Sequence, residues 1–143
     1  MSDEQVKLTA ASARIVALAI LSSMCIMTGL GLAIAAGALP IGPPGMDPAS
    51  GRQIGTIFLV VGISTIGLSH VMRTALDKRA ATSANPAQAR FRATIIGMAL
   101  GETPATLALV NAILTHNVTI TALLGAAAII TGLLHFPRAR LVE

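Results

Sequence analysis

The sequence predicts an all-α protein, a bundle of four transmembrane helices arranged as two helical hairpins. Hydrophobic residues make up 54% of the chain and charged residues 11%, whereas soluble domains carry about 25% charged residues. The apolar residues form four runs long enough to cross a bilayer, separated by short polar or proline-rich segments. The basic residues flank these runs. Despite the net charge of +4, this pattern favours the lipid bilayer as partner and argues against nucleic acid.

The chain has 143 residues, which suits a single integral membrane domain over residues 1–143. Residues 1–12 are polar and mixed in charge, and we expect them to form a short cytoplasmic leader. The first helix is predicted at residues 15–39. This run is longer than the hydrophobic part of a signal peptide, which has about 7–15 residues, so we expect it to be retained as a transmembrane helix.

Small residues recur at every fourth position in the second half of this first helix. Residues of that size let a neighbouring helix approach closely, which matters in a membrane because lipid removes the hydrophobic force between helices. One series consists of Gly29, Ala33 and Gly37, and a second of Gly31 and Ala35. They are predicted to serve helix packing, either within one bundle or between subunits.

A loop with four prolines and three glycines, residues 40–51, follows and cannot continue the helix. The second helix is predicted at residues 54–72, a run of about 19 residues that is just long enough to span the hydrocarbon. Its hydroxyl residues Ser64, Thr65 and Ser69 can hydrogen-bond to other helices or back to the backbone.

The most polar stretch of the chain, residues 73–88, leads to the third helix, predicted at residues 91–114. His116 and Asn117 are predicted to form a tight turn. The fourth helix is predicted at residues 118–136, and the proline that follows stops it.

The basic residues predict the orientation of the four spans. Nine of the ten fall on one side: Lys7, Arg14, Arg73, Lys78, Arg79, Arg90, Arg92, Arg138 and Arg140. Only Arg52 falls on the other side. Because cytoplasmic loops carry the excess of lysine and arginine, we expect a multi-pass protein of the inner (plasma) membrane. Both termini and the central loop would then be cytoplasmic.

Glu102 is the only acidic residue within any of the apolar runs. It lies ten residues after Arg92, roughly 15 Å along a helix, which is about half the hydrocarbon thickness. A charged carboxylate that faces lipid at that depth costs a few kcal/mol on insertion scales. We therefore expect Glu102 to face protein or water, or to be protonated, since desolvation disfavours its charged form.

The residues around Glu102 suit either protonation state. Thr106 follows one turn later on the same face of the helix. Pro104 removes a backbone donor and frees the carbonyl of Leu100, which Thr103 or a protonated Glu102 can satisfy. Small residues beside the acid would let a partner helix cover it closely. These small residues are Gly97, Gly101 and Ala105.

Three interpretations of Glu102 stay open from the residues alone. It is a protonated side chain that hydrogen-bonds to Ser23, Ser64, Thr65 or a carbonyl and holds the bundle together, or a carboxyl that carries protons, or part of a site for a cation or small cationic ligand. The candidate ion- or proton-binding residues are Glu102, Thr103 and Thr106. Asn111 lies nearer the outer end and is expected to join helices.

The third helix and its approach resemble the second helix of the proteolipid, subunit c, of rotary ATP synthases. The likeness covers residues 92–113. A basic loop leads to an arginine, an apolar run with glycine and alanine follows, and then come Glu102 and Pro104. The stretch GLGLAIAAG of the first helix is similar to the glycine-rich first helix of that family. The whole chain looks like small bacterial four-helix membrane proteins with such a segment and a final H-x-PR, here residues 135–138.

This resemblance implies two c-like helical hairpins and a proton-binding role for Glu102. In subunit c such a carboxyl takes up and releases a proton as it passes a polar channel, within a ring of many copies. The resemblance therefore implies a proton- or ion-translocating c-like subunit of a rotary ATPase or of another membrane complex.

The remaining reactive side chains are few. Cys25 is the single cysteine of the sequence, so an intrachain disulfide is excluded. It is expected to be a small buried hydrophobe. His70 and His135 fall at matching depth on different helices and are interpreted as interfacial residues, or as ligands of a b-type haem. Without a catalytic motif in the sequence, we expect no enzyme, no metal and no cofactor. The favoured function is a structural or interaction component of the membrane, as a homo-oligomer or with other membrane subunits.

Overall fold

The computed structural model describes residues 3–42 and 46–137, with side chains from residue 11 onwards. This part of the chain contains four α-helices and no strand, which confirms the predicted all-α four-helix bundle. The helices are α1 (Asp3–Ala35), α2 (Pro48–Ala81), α3 (Pro86–Thr115) and α4 (Val118–His135). Each is long and apolar enough to cross a membrane, α1 over Ala11–Ala35.

Helices α1, α2 and α3 begin earlier than the apolar runs suggested, and α2 also ends later. α1 starts at Asp3, inside the predicted polar leader, because residues 3–14 contain neither glycine nor proline and are mostly good helix formers. α2 continues past the apolar run to Ala81. The first two residues of the predicted leader, and the basic residues Arg138 and Arg140, lie outside the described residues.

Short polar side chains followed by proline start the second and third helices. Asp47 caps α2 by accepting the backbone N–H groups of Ala49 and Ser50 at 2.9 and 3.1 Å. Asn85 caps α3 by accepting the backbone N–H of Gln88 at 3.3 Å. In both helices the proline at the first helical position is favourable, because the missing N–H would have no partner inside the helix.

Gly37 ends α1. Its φ of +76° is in the left-handed region, and its N–H bonds to the carbonyl of Ile34 at 2.9 Å. The N–H of Ala38 bonds to the carbonyl of Ala33 at 2.9 Å, which completes a Schellman motif. Gly37 was predicted to serve helix packing, but a Cβ built on it would meet nothing within 4 Å. Its role is to terminate the helix.

Helix α3 is the centre of the bundle and packs against all three other helices. α1 and α2 hardly touch each other, so the bundle is held together through α3 and, for α1, also through α4. α1 is parallel to α3, because Ser23 contacts Glu102 and, further along both helices, Ile34 contacts His116 at the end of α3. α2 and α4 run antiparallel to both, which gives an up-down-up-down arrangement.

The core consists mainly of small side chains, with a few larger ones between them. Met24 of α1 packs against Ala105 of α3 and Ala128 of α4. Towards the other end, Ile34 and Ala35 pack against Ala112. Because alanine and glycine keep the backbones close, the helices gain dispersion contacts along their length, the main source of helix association in lipid.

Candidate functional site

Glu102 lies near the middle of α3 and is bonded to α1. Ser23 Oγ donates a hydrogen bond to Glu102 Oε1 at 2.7 Å, and the carboxyl is half-buried. Within the described residues, the one ion pair joins Arg73 to Asp77, so no cation neutralises Glu102 there. Of the three hydroxyls named as candidate partners, Ser64 and Thr65 instead donate to carbonyls of α2 itself, each at 2.8 Å.

The two threonines that follow Glu102 differ in their surroundings. Thr106 is exposed, and its Oγ1 lies 3.6 Å from Met27 Sδ of α1, one turn above the contact between Ser23 and Glu102. Thr103 is half-buried, and its hydroxyl makes no bond to the freed carbonyl of Leu100 in the described part of the chain. The carboxyl therefore sits at the edge of the α1–α3 interface, where one side of it reaches the outside of the bundle.

The small residues beside Glu102 admit helices of the same chain. A Cβ on Gly97 would lie 2.7 Å from His135 Cδ2 of α4, and one on Gly101 would lie 3.0 Å from Thr131 Cγ2. Ala105 is fully buried against Met24. These three small residues therefore pack inside the bundle, mainly against α4.

The two small-residue series of α1 face in different directions. Gly31 lies against the backbone of Leu109 in α3, where an added Cβ would be 3.3 Å from that Cα, and Ala35 is buried. Gly29 is exposed, and a Cβ on it would meet nothing within 4 Å, while Ala33 is half-buried. The Gly31 series is therefore buried within the bundle, whereas Gly29 is on the outside.

A second polar cluster joins α2, α3 and α4, and no sequence motif indicated it. Ser69 Oγ donates to the carbonyl of Gly97 at 2.7 Å and lies 3.0 Å from His135 Nε2. Arg73 donates to the backbone carbonyl of His135. His135 is almost fully buried, and its Nδ1 has no partner among the described residues. These contacts tie the end of α4 to the middle of α2.

The geometry of His70 and His135 contradicts the haem interpretation. Their rings are stacked, with centroids 4.9 Å apart and an angle of 11° between the planes. Axial haem ligands must point a ring nitrogen at the same iron from opposite faces of the macrocycle, and stacked rings leave no space for one. His70 also lies well inside α2 because that helix continues to Ala81, so it is not at a helix end.

Two further predictions concern Asn111 and Cys25. Asn111 is buried and donates to Thr121 Oγ1 of α4 at 3.1 Å, which confirms that it joins helices. Cys25 is exposed on the outside of the bundle, so the prediction of a buried cysteine is wrong. Its neighbour Met24 occupies the inward face, and the turn of about 100° per residue carries Cys25 away from it.

The described residues contain no group of three or more His, Cys, Asp or Glu side chains that could hold a metal ion. Comparison of the chain with protein-family models, with curated proteins and with solved structures gives no match. The geometry around Glu102 and the surfaces of the bundle are therefore the features from which a function can be inferred.

Proposed function

We propose that this chain is a multi-pass inner-membrane protein that acts through contacts between helices, as a structural or interaction component of the membrane. The observation that carries the proposal is the hydrogen bond between Ser23 and Glu102, because it uses the one intramembrane carboxyl inside the chain's own helix interface. Interhelical polar contacts of this kind contribute about 0.6 kcal/mol on average. They position helices rather than carry out chemistry.

The outer faces of α1 and α2 support an interaction role. α2 packs mainly against α3 and leaves a continuous apolar face uncovered. Its exposed residues include Ile57, Val60, Ile63, Leu68 and Val71. Gly29 and Gly67 leave open space on these faces, which permits close approach of lipid or of a helix from a second subunit.

The proposed orientation places both termini and the α2–α3 connection in the cytoplasm. The alternating direction of the helices brings Arg14, Arg73, Arg79, Arg90 and Arg92 to the same end of the bundle. Arg52 belongs to the other end, at the start of α2. This distribution supports the cytoplasmic assignment, since lysine and arginine accumulate on that side.

A second candidate function is proton or ion handling by Glu102, as in a c-like subunit. The observation that favours it is the incomplete burial of the carboxyl, next to the exposed Thr106 at the edge of the α1–α3 interface. A carboxyl in that position changes its surroundings when a polar surface of another subunit meets it, and such a change alters the balance between its charged and neutral forms.

Proton flux into reconstituted vesicles separates the two functions. Wild-type protein and Glu102→Gln are placed in vesicles that contain a pH-sensitive dye, and a membrane potential is imposed. The structural role predicts equal flux for both proteins and for vesicles without protein. A proton flux that is present with the wild-type protein and absent with Glu102→Gln would contradict the purely structural role and support the proton-handling role. The rotor form of that role also requires a closed ring of many copies, so a monomer or dimer in mild detergent argues against it.

A further inference from the structure

A cavity of about 300 Å³ lies between the C-terminal end of α2 and the start of α3, away from Glu102. Its polar part is lined by Arg79 of α2, by Ser83 between the helices, and by Gln88 and Arg92 of α3. Its apolar part is lined by residues such as Leu76 and Ile96, which lead towards the membrane-spanning parts of the two helices. One cavity thus offers cationic and apolar walls side by side.

The charge of the cavity suits a phosphate group. Arg79 and Arg92 come from different helices, and both are exposed, so their guanidinium groups are available to a ligand. No acidic residue lines the cavity, and the nearby Asp77 lies 3.6 Å from Arg73, which is not part of the lining. Guanidinium groups bind phosphate oxygens through paired hydrogen bonds, and Ser83 can add a hydroxyl donor.

The apolar walls favour a lipid over a free phosphate. Leu76 is half-buried and Ile96 is exposed on the outside of the bundle, so the cavity opens towards the region that acyl chains occupy. The buried Ala80 and Ala93 form part of the lining without filling it. A free phosphate would use only the arginines and leave this apolar surface in contact with water.

We propose that this cavity binds the headgroup of an anionic phospholipid, with the phosphate held between Arg79 and Arg92 and an acyl chain lying along Leu76 and Ile96. Basic pockets between membrane helices on the cytoplasmic side bind anionic headgroups in this manner. The site shares no residue with the contact between Ser23 and Glu102. Its failure would therefore leave the proposed function of the bundle untouched.

Native mass spectrometry of the full chain in detergent, titrated with phosphatidylglycerol or phosphatidylcholine, tests the site. The wild-type protein is expected to retain phosphatidylglycerol in preference to phosphatidylcholine. The double variant Arg79→Gln/Arg92→Gln is expected to lose roughly 100-fold in affinity for phosphatidylglycerol, about tenfold for each guanidinium that no longer donates a charge-assisted hydrogen bond to the phosphate. Arg79→Lys/Arg92→Lys keeps the charges and is expected to retain most of the affinity.

The matched control is Lys78→Gln/Arg90→Gln, which removes two charges from the same end of the bundle, neither of them lining this cavity. It is expected to bind as the wild type does. Equal losses in the control and in the cavity variant would overturn the proposal, because they would reflect surface charge alone. Equal binding of the two lipids would also overturn it, and so would displacement of the lipid by millimolar inorganic phosphate.

Discussion

Glu102 is the residue on which the functional account depends, and its surroundings differ from those of a sealed core acid. One neutral hydroxyl, that of Ser23, bonds one of its oxygens, and the side chain is half-buried. A hydroxyl donor satisfies a carboxyl oxygen in either protonation state, so the contact persists whether or not the acid is ionised. This arrangement suits an interhelical contact at the edge of the α1–α3 interface.

Gly97 is the residue at which the closeness of the helices is most easily tested. A Cβ there would lie 2.7 Å from His135 Cδ2 and 3.3 Å from Arg73 Cβ, so Gly97→Ala is expected to destabilise the bundle by about 1–3 kcal/mol. Gly67→Ala is the control, because nothing lies within 4 Å of its added Cβ and alanine favours the helix. Unfolding in mixed detergent micelles measures both. Equal stability of the two variants would contradict the described packing of α3.

The cap of α2 makes the stability of that element depend on pH. Hydrogen bonds from the Ser50 side chain, and from the backbone N–H groups of Ser50 and Ala49, lower the pKa of Asp47 below its ordinary value. A carboxyl with a lowered pKa stabilises the folded state above its ordinary value, and this stability is lost as the pH falls through the folded pKa. The melting temperature of the wild type is therefore expected to decrease as the pH is lowered from about 5 through the lowered pKa of Asp47.

Asp47→Asn provides the control for this prediction, because asparagine also caps helices but does not titrate. The melting temperature of the variant is expected to fall less than that of the wild type over the same pH range. Parallel curves for the two proteins would show that the carboxylate of Asp47 does not stabilise α2.

The existence and order of the helices were predictable because four long apolar runs admit no other arrangement in a bilayer. The ends of the helices were not predictable from hydropathy, because hydropathy shows where the apolar part of a helix ends and not where the helix itself ends. Asp47 and Asn85, each followed by proline, are start signals that the sequence contained and hydropathy ignored. The Gly37 terminator has the same spacing as the packing series, which concealed its role.

Which face of α1 packs against the other helices could not be predicted from the sequence either. Gly29 and Gly31 belong to equally good small-residue series, yet only Gly31 meets α3. Cys25 and Met24 are both suitable for a core, and only Met24 is in it. The choice depends on how α1 is rotated against α3 and α4, a property of the assembled bundle. For the same reason Ser23 was one of several candidate partners for Glu102.

For the whole molecule, the proposed orientation predicts which surfaces chemical labels reach. In a Cys25→Ser background, a cysteine at Ala84, between α2 and α3, is expected to be protected from an impermeant maleimide in intact cells. A cysteine at Met46, which is exposed before α2, is expected to be labelled. The opposite pattern would invert the proposed topology and remove the cytoplasmic assignment of the lipid site.

The most direct test of the central claim is a double-mutant cycle between Ser23→Ala and Glu102→Leu, measured as the free energy of unfolding in mixed micelles. We expect a coupling energy between about 0.6 and about 1.7 kcal/mol, the average and the maximum for polar contacts between membrane helices. Ser22→Ala with Glu102→Leu is the matched control, because Ser22 is exposed and makes no contact with the carboxyl in the described structure. A coupling for Ser23 no larger than that for Ser22 would contradict the account.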